Sequence, residues 1–177
     1  MLAINHKILV RIFRILFVLT LVTIVGMQIT GAPLVTEAAP GGIITFELIG
    51  TFEGSQDIIA SWQGETMTWA GVNMGLDFLF LILYSTTLAL ACLLISEKYR
   101  LPFLKQLGGW LAIAILFAAL LDVIENIALV KLLLGSQNEL LPLLAKWCAL
   151  PKFSLVFVTL FYVISGIYPL MIKGKGD

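Results

Sequence analysis

Histidine and cysteine are scarce in this sequence, which has one histidine and two cysteines in 177 residues. A single histidine, His6, excludes bis-histidine haem ligation and zinc sites built mainly on histidine. Cys92 and Cys148 belong to no Cys-x-x-Cys pair, and each lies in or beside an apolar run. We therefore expect buried thiols rather than a disulfide framework or a redox pair. The identity of any cofactor stays open, with no haem and no histidine-based zinc site expected.

Charge is also scarce. Charged residues make up 12% of the chain, whereas soluble domains carry about 25%. The 11 basic and 11 acidic residues balance, and no basic block is present, so nucleic acid is not an expected partner. In contrast, 60% of the residues are hydrophobic, and the mean hydropathy is +1.03. This composition predicts an all-α membrane protein with the lipid bilayer as its main partner.

Four apolar stretches are long enough to cross a bilayer, which takes roughly 20 helical residues. We place the spans at residues 12–34, 67–96, 107–134 and 148–172, within a single membrane domain covering residues 1–177. The first stretch also has the basic flank and apolar core of a cleaved signal peptide. Its uncharged run is long for a signal core, so we expect a retained helix.

The predicted loop between the first two spans, residues 37–66, contains acidic residues but no lysine or arginine. Residues 43–49 are β-prone and favour a short extended segment. Ser55 is predicted to start a short helix that carries Trp62 on its apolar side and lies in the headgroup layer. The four tryptophans are expected to be interface anchors. A partly ordered loop at the mouth of the bundle is the expected result.

The distribution of basic residues predicts the orientation. Eight lie on the side of the two termini: Lys7, Arg11, Arg14, Lys98, Arg100, Lys105, Lys173 and Lys175. Lys131, Lys146 and Lys152 lie on the other side. The positive-inside rule then places both termini in the cytoplasm, with the acidic loop outside. Short connections between the later spans predict an up-down four-transmembrane-helix bundle.

An acidic stretch interrupts the third span at residues 120–128. Asp122, Glu125 and Asn126 stand at i, i+3 and i+4, so they share one side of a helix. A charged side chain at the centre of a membrane costs about 2.5–3.5 kcal/mol on insertion scales. The small residues Gly108, Ala112 and Ala119 fall on the same face, which predicts that this face looks into the bundle.

Other polar residues fall at a similar depth in the neighbouring spans. We therefore predict one ligand-binding or proton-relay site made of Asp77, Tyr84, Asp122, Glu125, Asn126 and Lys152. With three acids and one base, the site has an excess of potential negative charge. We expect at least one protonated carboxyl or a bound cation among them.

Three functional hypotheses remain open from the sequence. The leading one is a non-enzymatic membrane protein that binds a proton, a cation or a small polar ligand, as a homo-oligomer or a subunit of a larger membrane assembly. The second is an enzyme that acts on a lipid-like substrate near the outer leaflet, using Glu125, Asp122 and Lys152. The third is a structural protein whose polar residues only hold the helices together. A metal is neither required nor excluded, because carboxylates alone can bind Ca²⁺ or Mn²⁺, and no catalytic residue is assigned.

Three short motifs resemble a known group. They are Gly-Ile-Ile-Thr-Phe-Glu-Leu at residues 42–48, Leu-Asp-Phe-Leu-Phe at 76–80 and Leu-Asp-Val-Ile-Glu-Asn at 121–126. Together they resemble small four-helix bacterial inner-membrane proteins of unknown function, over most of the chain from about residue 40 onward. The resemblance implies a recurring pattern at these positions but transfers no activity.

Overall fold

The fold is all-helical in a computed structural model that describes residues 6–173, with side chains for residues 6–167. The helices, in chain order, are α1 (His6–Gly31), α2 (Ile43–Leu48), α3 (Phe52–Ser61), α4 (Glu65–Ser96), α5 (Pro102–Leu133) and α6 (Leu141–Lys173). A short 3-10 turn, Ala32–Leu34, follows α1. The range 6–173 contains no strand. Of the basic residues used to predict the orientation, Lys175 lies outside the described residues, as does the side chain of Lys173.

Four of these helices are long and apolar enough to cross a membrane, which confirms the predicted class. They are α1 with the turn after it, α4, α5 and most of α6. The main difference concerns α6, which begins at Leu141 and passes through Pro151, although a start near residue 148 was predicted. Pro151 therefore neither begins nor ends the helix. As a result Lys152 lies eleven residues, or about 16 Å, inside α6, whereas a span from residue 148 would place it near the start of the helix.

Hydrogen bonds between the helices show which parts of neighbouring helices lie side by side. Between α1 and α4, Thr20 Oγ1 is 3.0 Å from Thr87 Oγ1, and Asn73 Nδ2 donates to Thr30 Oγ1 at 2.8 Å. At the end where α4 finishes, the hydroxyl of Tyr162 on α6 donates to the carbonyl of Leu104 on α5 at 2.8 Å. These bonds satisfy polar groups that lipid would leave unpaired.

The small-residue face of α5 looks into the bundle, as predicted. Gly108, Ala112, Ala119, Asp122 and Asn126 are all buried. At Gly108 an added Cβ would lie 3.0 Å from the backbone oxygen of Cys92 and 2.5 Å from the hydroxyl of Tyr162. The absence of a side chain therefore lets α4, α5 and α6 approach closely, as small residues do between membrane helices. Cys92 and Cys148 are buried free thiols, as expected.

The segment that connects α1 to α4 is helical, so the prediction of an extended stretch at residues 43–49 was wrong. Gly42, at φ 58°, ends the preceding turn, and α2 follows directly. The β-prone residues form a helix because the helical spacing buries Phe46 against Trp62, with ring centroids 5.2 Å apart. Tertiary packing thus overrides a local propensity that depends on context.

Trp62 is a core residue and not an interface anchor, which corrects that part of the prediction. Its side chain is fully buried, and its indole Nε1 donates to the carbonyl of Leu34 at 2.9 Å. The helix predicted from Ser55 is present as α3 but begins at Phe52. Trp110 and Trp147, by contrast, are 63% and 65% exposed. The connecting segment therefore packs on one end of the bundle through a shared apolar core with Phe46 and Trp62 at its centre.

Candidate functional site

Lys152 lies at the centre of a buried group of polar side chains. Its ammonium contacts three carboxyl groups: Glu125 at 2.9 Å, Asp122 at 3.1 Å and Glu47 at 3.6 Å. The lysine is only 5% exposed. The contacts with Asp122 and Glu125 are hydrogen bonds, and Glu47 lies at ion-pair distance. Lys152 therefore stands where a cation bound by carboxylates would stand.

The helix α5 supplies two of these acids from adjacent turns. Asp122 and Glu125 are three residues apart, so both point toward α6, and they are 2% and 0% exposed. Lys152 Nζ lies 2.9 Å from each of the two carboxyl oxygens of Glu125. The lysine therefore connects α6 to two acids of α5. Its removal would leave two buried carboxyls without a counter-charge.

The remaining predicted residues extend the group toward α4. The hydroxyl of Tyr84 donates to Asp122 Oδ2 at 3.0 Å. Asn126 Nδ2 donates to Asp77 Oδ2 at 2.7 Å. All six side chains predicted from the sequence are therefore brought together, from α4, α5 and α6.

A fourth acid, Glu47, was missed by the sequence analysis. It lies in α2, outside the four spanning helices, and is 6% exposed. It belongs to the acidic loop predicted at the mouth of the bundle, to which no site residue was assigned. One signal was available, because apolar residues flank Glu47 closely on both sides, at residues 43–49. We call the seven residues together the Lys152 cluster: Glu47, Asp77, Tyr84, Asp122, Glu125, Asn126 and Lys152.

Several acceptor oxygens in the Lys152 cluster receive no hydrogen bond. They are one carboxyl oxygen each of Glu47 and Glu125, both in ion-pair contact with Lys152, and the side-chain oxygen of Asn126. Each is fully shielded from solvent. An unsatisfied buried polar atom costs about 1–3 kcal/mol. A proton on one of the carboxyl groups would supply a donor to this set, since a protonated carboxyl has an O–H to give.

Burial governs the protonation of Glu47. Removal from water raises the pKa of its carboxyl above the ordinary value of 4.5, although Lys152 and a hydrogen bond with Glu125 act in the opposite direction. The negative charge of Asp122 adds to the rise. Glu47 and Glu125 both lie against the ammonium of Lys152, so a proton on either carboxyl would lower the excess of negative charge around it.

The described residues contain no group of three or more histidine, cysteine or acidic side chains with the geometry of a metal site. The carboxyl groups instead point at the ammonium of Lys152, which fills the centre of the cluster. The hypothesis of an enzyme acting on a lipid-like substrate stays a hypothesis.

Comparison with known proteins adds no further identity. Searches against protein-family models, curated proteins and solved structures found no match.

Proposed function

We propose that this is a proton-binding integral membrane protein, in which the Lys152 cluster takes up and releases a proton inside the helical bundle. The observation that carries the proposal is the charge balance. Three carboxyl groups contact one ammonium at 2.9–3.6 Å, and a fourth, Asp77, lies beside them and accepts a hydrogen bond from Asn126. If all five groups were ionised, the buried site would hold three excess negative charges. Low-dielectric surroundings make such an excess very costly.

A proton fits the site better than a metal ion for a geometric reason. Lys152 already occupies the position that a cation would take among the carboxyls. Buried acidic and basic residues within membrane spans commonly mark proton relays or ligand paths. Each of the two aspartates accepts a hydrogen bond from the other helix, Asp122 from Tyr84 and Asp77 from Asn126. Proton binding needs no cavity, which suits side chains that are at most 7% exposed.

The topology that accompanies this proposal is an up-down four-helix bundle in a bacterial inner membrane, with both termini in the cytoplasm. Support comes from contacts that pair Thr20 and Thr30 of α1 with Thr87 and Asn73 of α4, in reversed order along the chain. A contact between early α5 and late α6 and the distribution of basic residues support it as well. In this orientation α2 and α3 lie on the outer side, so Glu47 would join the Lys152 cluster from the external end. A homo-oligomer or a larger membrane assembly stays a prediction.

Infrared spectroscopy tests the proposal directly, through the carbonyl stretching band of a protonated carboxyl group. We expect this band in the wild-type protein at pH 7, weakening as the pH rises. It should be lost or reduced in Glu125→Gln. The matched control is Glu53→Gln, because Glu53 lies on the exposed side of α3 and should leave the band unchanged.

The proposal fails if the wild-type protein lacks the band at pH 7. It also fails if none of the variants Glu47→Gln, Asp77→Asn, Asp122→Asn and Glu125→Gln alters it.

A second candidate function, a purely structural clasp, is favoured by the burial of the Lys152 cluster. A clasp predicts a fixed proton content, hence a band that does not change between pH 5 and pH 9.

A further inference from the structure

A groove on the outer surface of the bundle runs between α4 and α5, at the end away from α2 and α3. Its volume is about 600 Å³. The small residues Ala89, Gly109 and Ala112 line it, and Leu93, Ile113 and Leu116 add larger apolar side chains. At Gly109 an added Cβ would meet nothing within 4 Å. The groove is therefore open to whatever surrounds the protein.

The length of the groove matches one leaflet of a bilayer. On α5 it extends from Lys105 to Leu116, which is eleven residues or about 16 Å. A bilayer has a hydrocarbon core of ~30 Å, so this length covers about half of it. An apolar channel of one leaflet's length fits a single acyl chain.

One end of the groove is polar and basic. Lys105, Gln106 and Trp110 line that end, and Lys105 is exposed. The adjoining turn adds the exposed side chains of Lys98 and Arg100. Tryptophan and lysine at one depth are typical of the headgroup layer of a membrane.

The N-terminus of α5 supplies a further favourable element for an anion. Leu101 at the N-cap makes no side-chain capping hydrogen bond, and Pro102 begins the helix. Pro102 has no backbone N–H and that of Lys105 bonds to the carbonyl of Leu101, so the N–H groups of Phe103 and Leu104 are left for an anion. The helix dipole also favours negative charge there. Lys105 lies in the same first turn. The basic end thus offers both a cation and uncapped amides to a phosphate group.

We infer that this groove binds one anionic phospholipid, with an acyl chain between α4 and α5 and the phosphate at Lys105. This site is distinct from the Lys152 cluster and independent of its protonation. The opposite charges of lipid and basic end select an anionic lipid over a zwitterionic one. For one lysine near an anionic membrane surface, we expect about a fivefold preference for the anionic lipid over the zwitterionic one.

Fluorescence quenching of Trp110 tests the inference, with the full chain in vesicles that contain brominated phosphatidylglycerol or brominated phosphatidylcholine. The signal of Trp110 is the difference between the wild-type protein and Trp110→Phe. We expect phosphatidylglycerol to quench it with about fivefold higher relative affinity. Lys105→Gln should reduce this preference, and what remains would come from Lys98 and Arg100. Lys131→Gln, an exposed lysine at the other end of α5, should keep the preference.

Gly109→Leu tests the groove itself, because its side chain would occupy the space of the acyl chain. We expect it to lower quenching by phosphatidylglycerol while Lys105 is still present. Equal quenching by both lipids in the wild-type protein would overturn the inference, as would an unchanged preference in Lys105→Gln. A retained preference for phosphatidylglycerol in a folded Gly109→Leu protein would also overturn it, since the headgroup would then bind without the groove. The exposed position of Lys105 keeps its variant informative if Gly109→Leu fails to fold.

Discussion

Replacement of Lys152 by methionine should destabilise the bundle strongly at neutral pH. Methionine keeps an unbranched apolar stem but removes the ammonium that contacts Glu125, Asp122 and Glu47. At 2.9 Å and an effective dielectric constant of ~20, one such pair corresponds to roughly 6 kcal/mol of attraction before desolvation is subtracted. Loss of one partner from a buried ion pair has a net cost of about 3–5 kcal/mol. We expect the free energy of unfolding to fall by an amount in that range.

The loss should depend on pH, because acid protonates carboxyl groups and so removes the charges that Lys152→Met leaves unpaired. We expect a smaller loss at pH 5 than at pH 8. Addition of Glu125→Gln to Lys152→Met should recover part of the stability at pH 8, since it removes one of the unpaired charges. Unfolding by sodium dodecyl sulfate, followed by circular dichroism at each pH, measures these differences.

The matched control is Lys131→Met, the same substitution at an exposed lysine in the last turn of α5. Its cost should stay within about 1 kcal/mol, the value of a cation at a helix C-terminus. If Lys152→Met is no more destabilising than Lys131→Met at pH 8, the ammonium of Lys152 does not stabilise the bundle through its carboxyl contacts. An equal loss at pH 5 and pH 8 would show that protonation of the remaining carboxyls does not relieve the unpaired charge.

Two further predictions concern α5 and α2. Gly108→Ala should destabilise the bundle by about 1–3 kcal/mol through overpacking. Gly109→Ala, with open space around it, should be neutral or up to about 1 kcal/mol more stable. Unfolding in detergent compares the two variants, and equal effects would contradict the close approach of the helices at Gly108. Burial raises the pKa of Glu47, so the protonated side chain favours the docked position of α2. This contribution is fully present below the ordinary pKa of 4.5 and is lost as the pH rises through the higher pKa of the docked state. Hydrogen exchange of the α2 amides, corrected for the intrinsic rate, should therefore speed up with rising pH in the wild-type protein and in Glu53→Gln. In Glu47→Gln the corrected rate should lack the acceleration that comes from ionisation of Glu47.

The class of the protein and the inward face of α5 followed from the sequence alone. Composition and the length of the apolar runs predict four spanning helices because a bilayer demands about 20 apolar residues for each crossing. The i, i+3, i+4 spacing of Asp122, Glu125 and Asn126 fixes their common side in any helix. Charges of this kind are too costly to face lipid. The sequence could therefore predict that this side is buried and that Asp77 and Lys152 lie near it.

Tertiary structure alone decided the role of the connecting segment. Residues 43–49 favour a strand by local propensity, but burial of Phe46 against Trp62 makes them helical. That helix turns Glu47 toward Lys152, a contact that joins residues more than 100 positions apart in the chain. Periodicity and propensity describe neighbours along the chain, so they carry no information on such a contact. The fourth carboxyl, and with it the full charge excess of the Lys152 cluster, depends on how α2 packs against the end of the bundle.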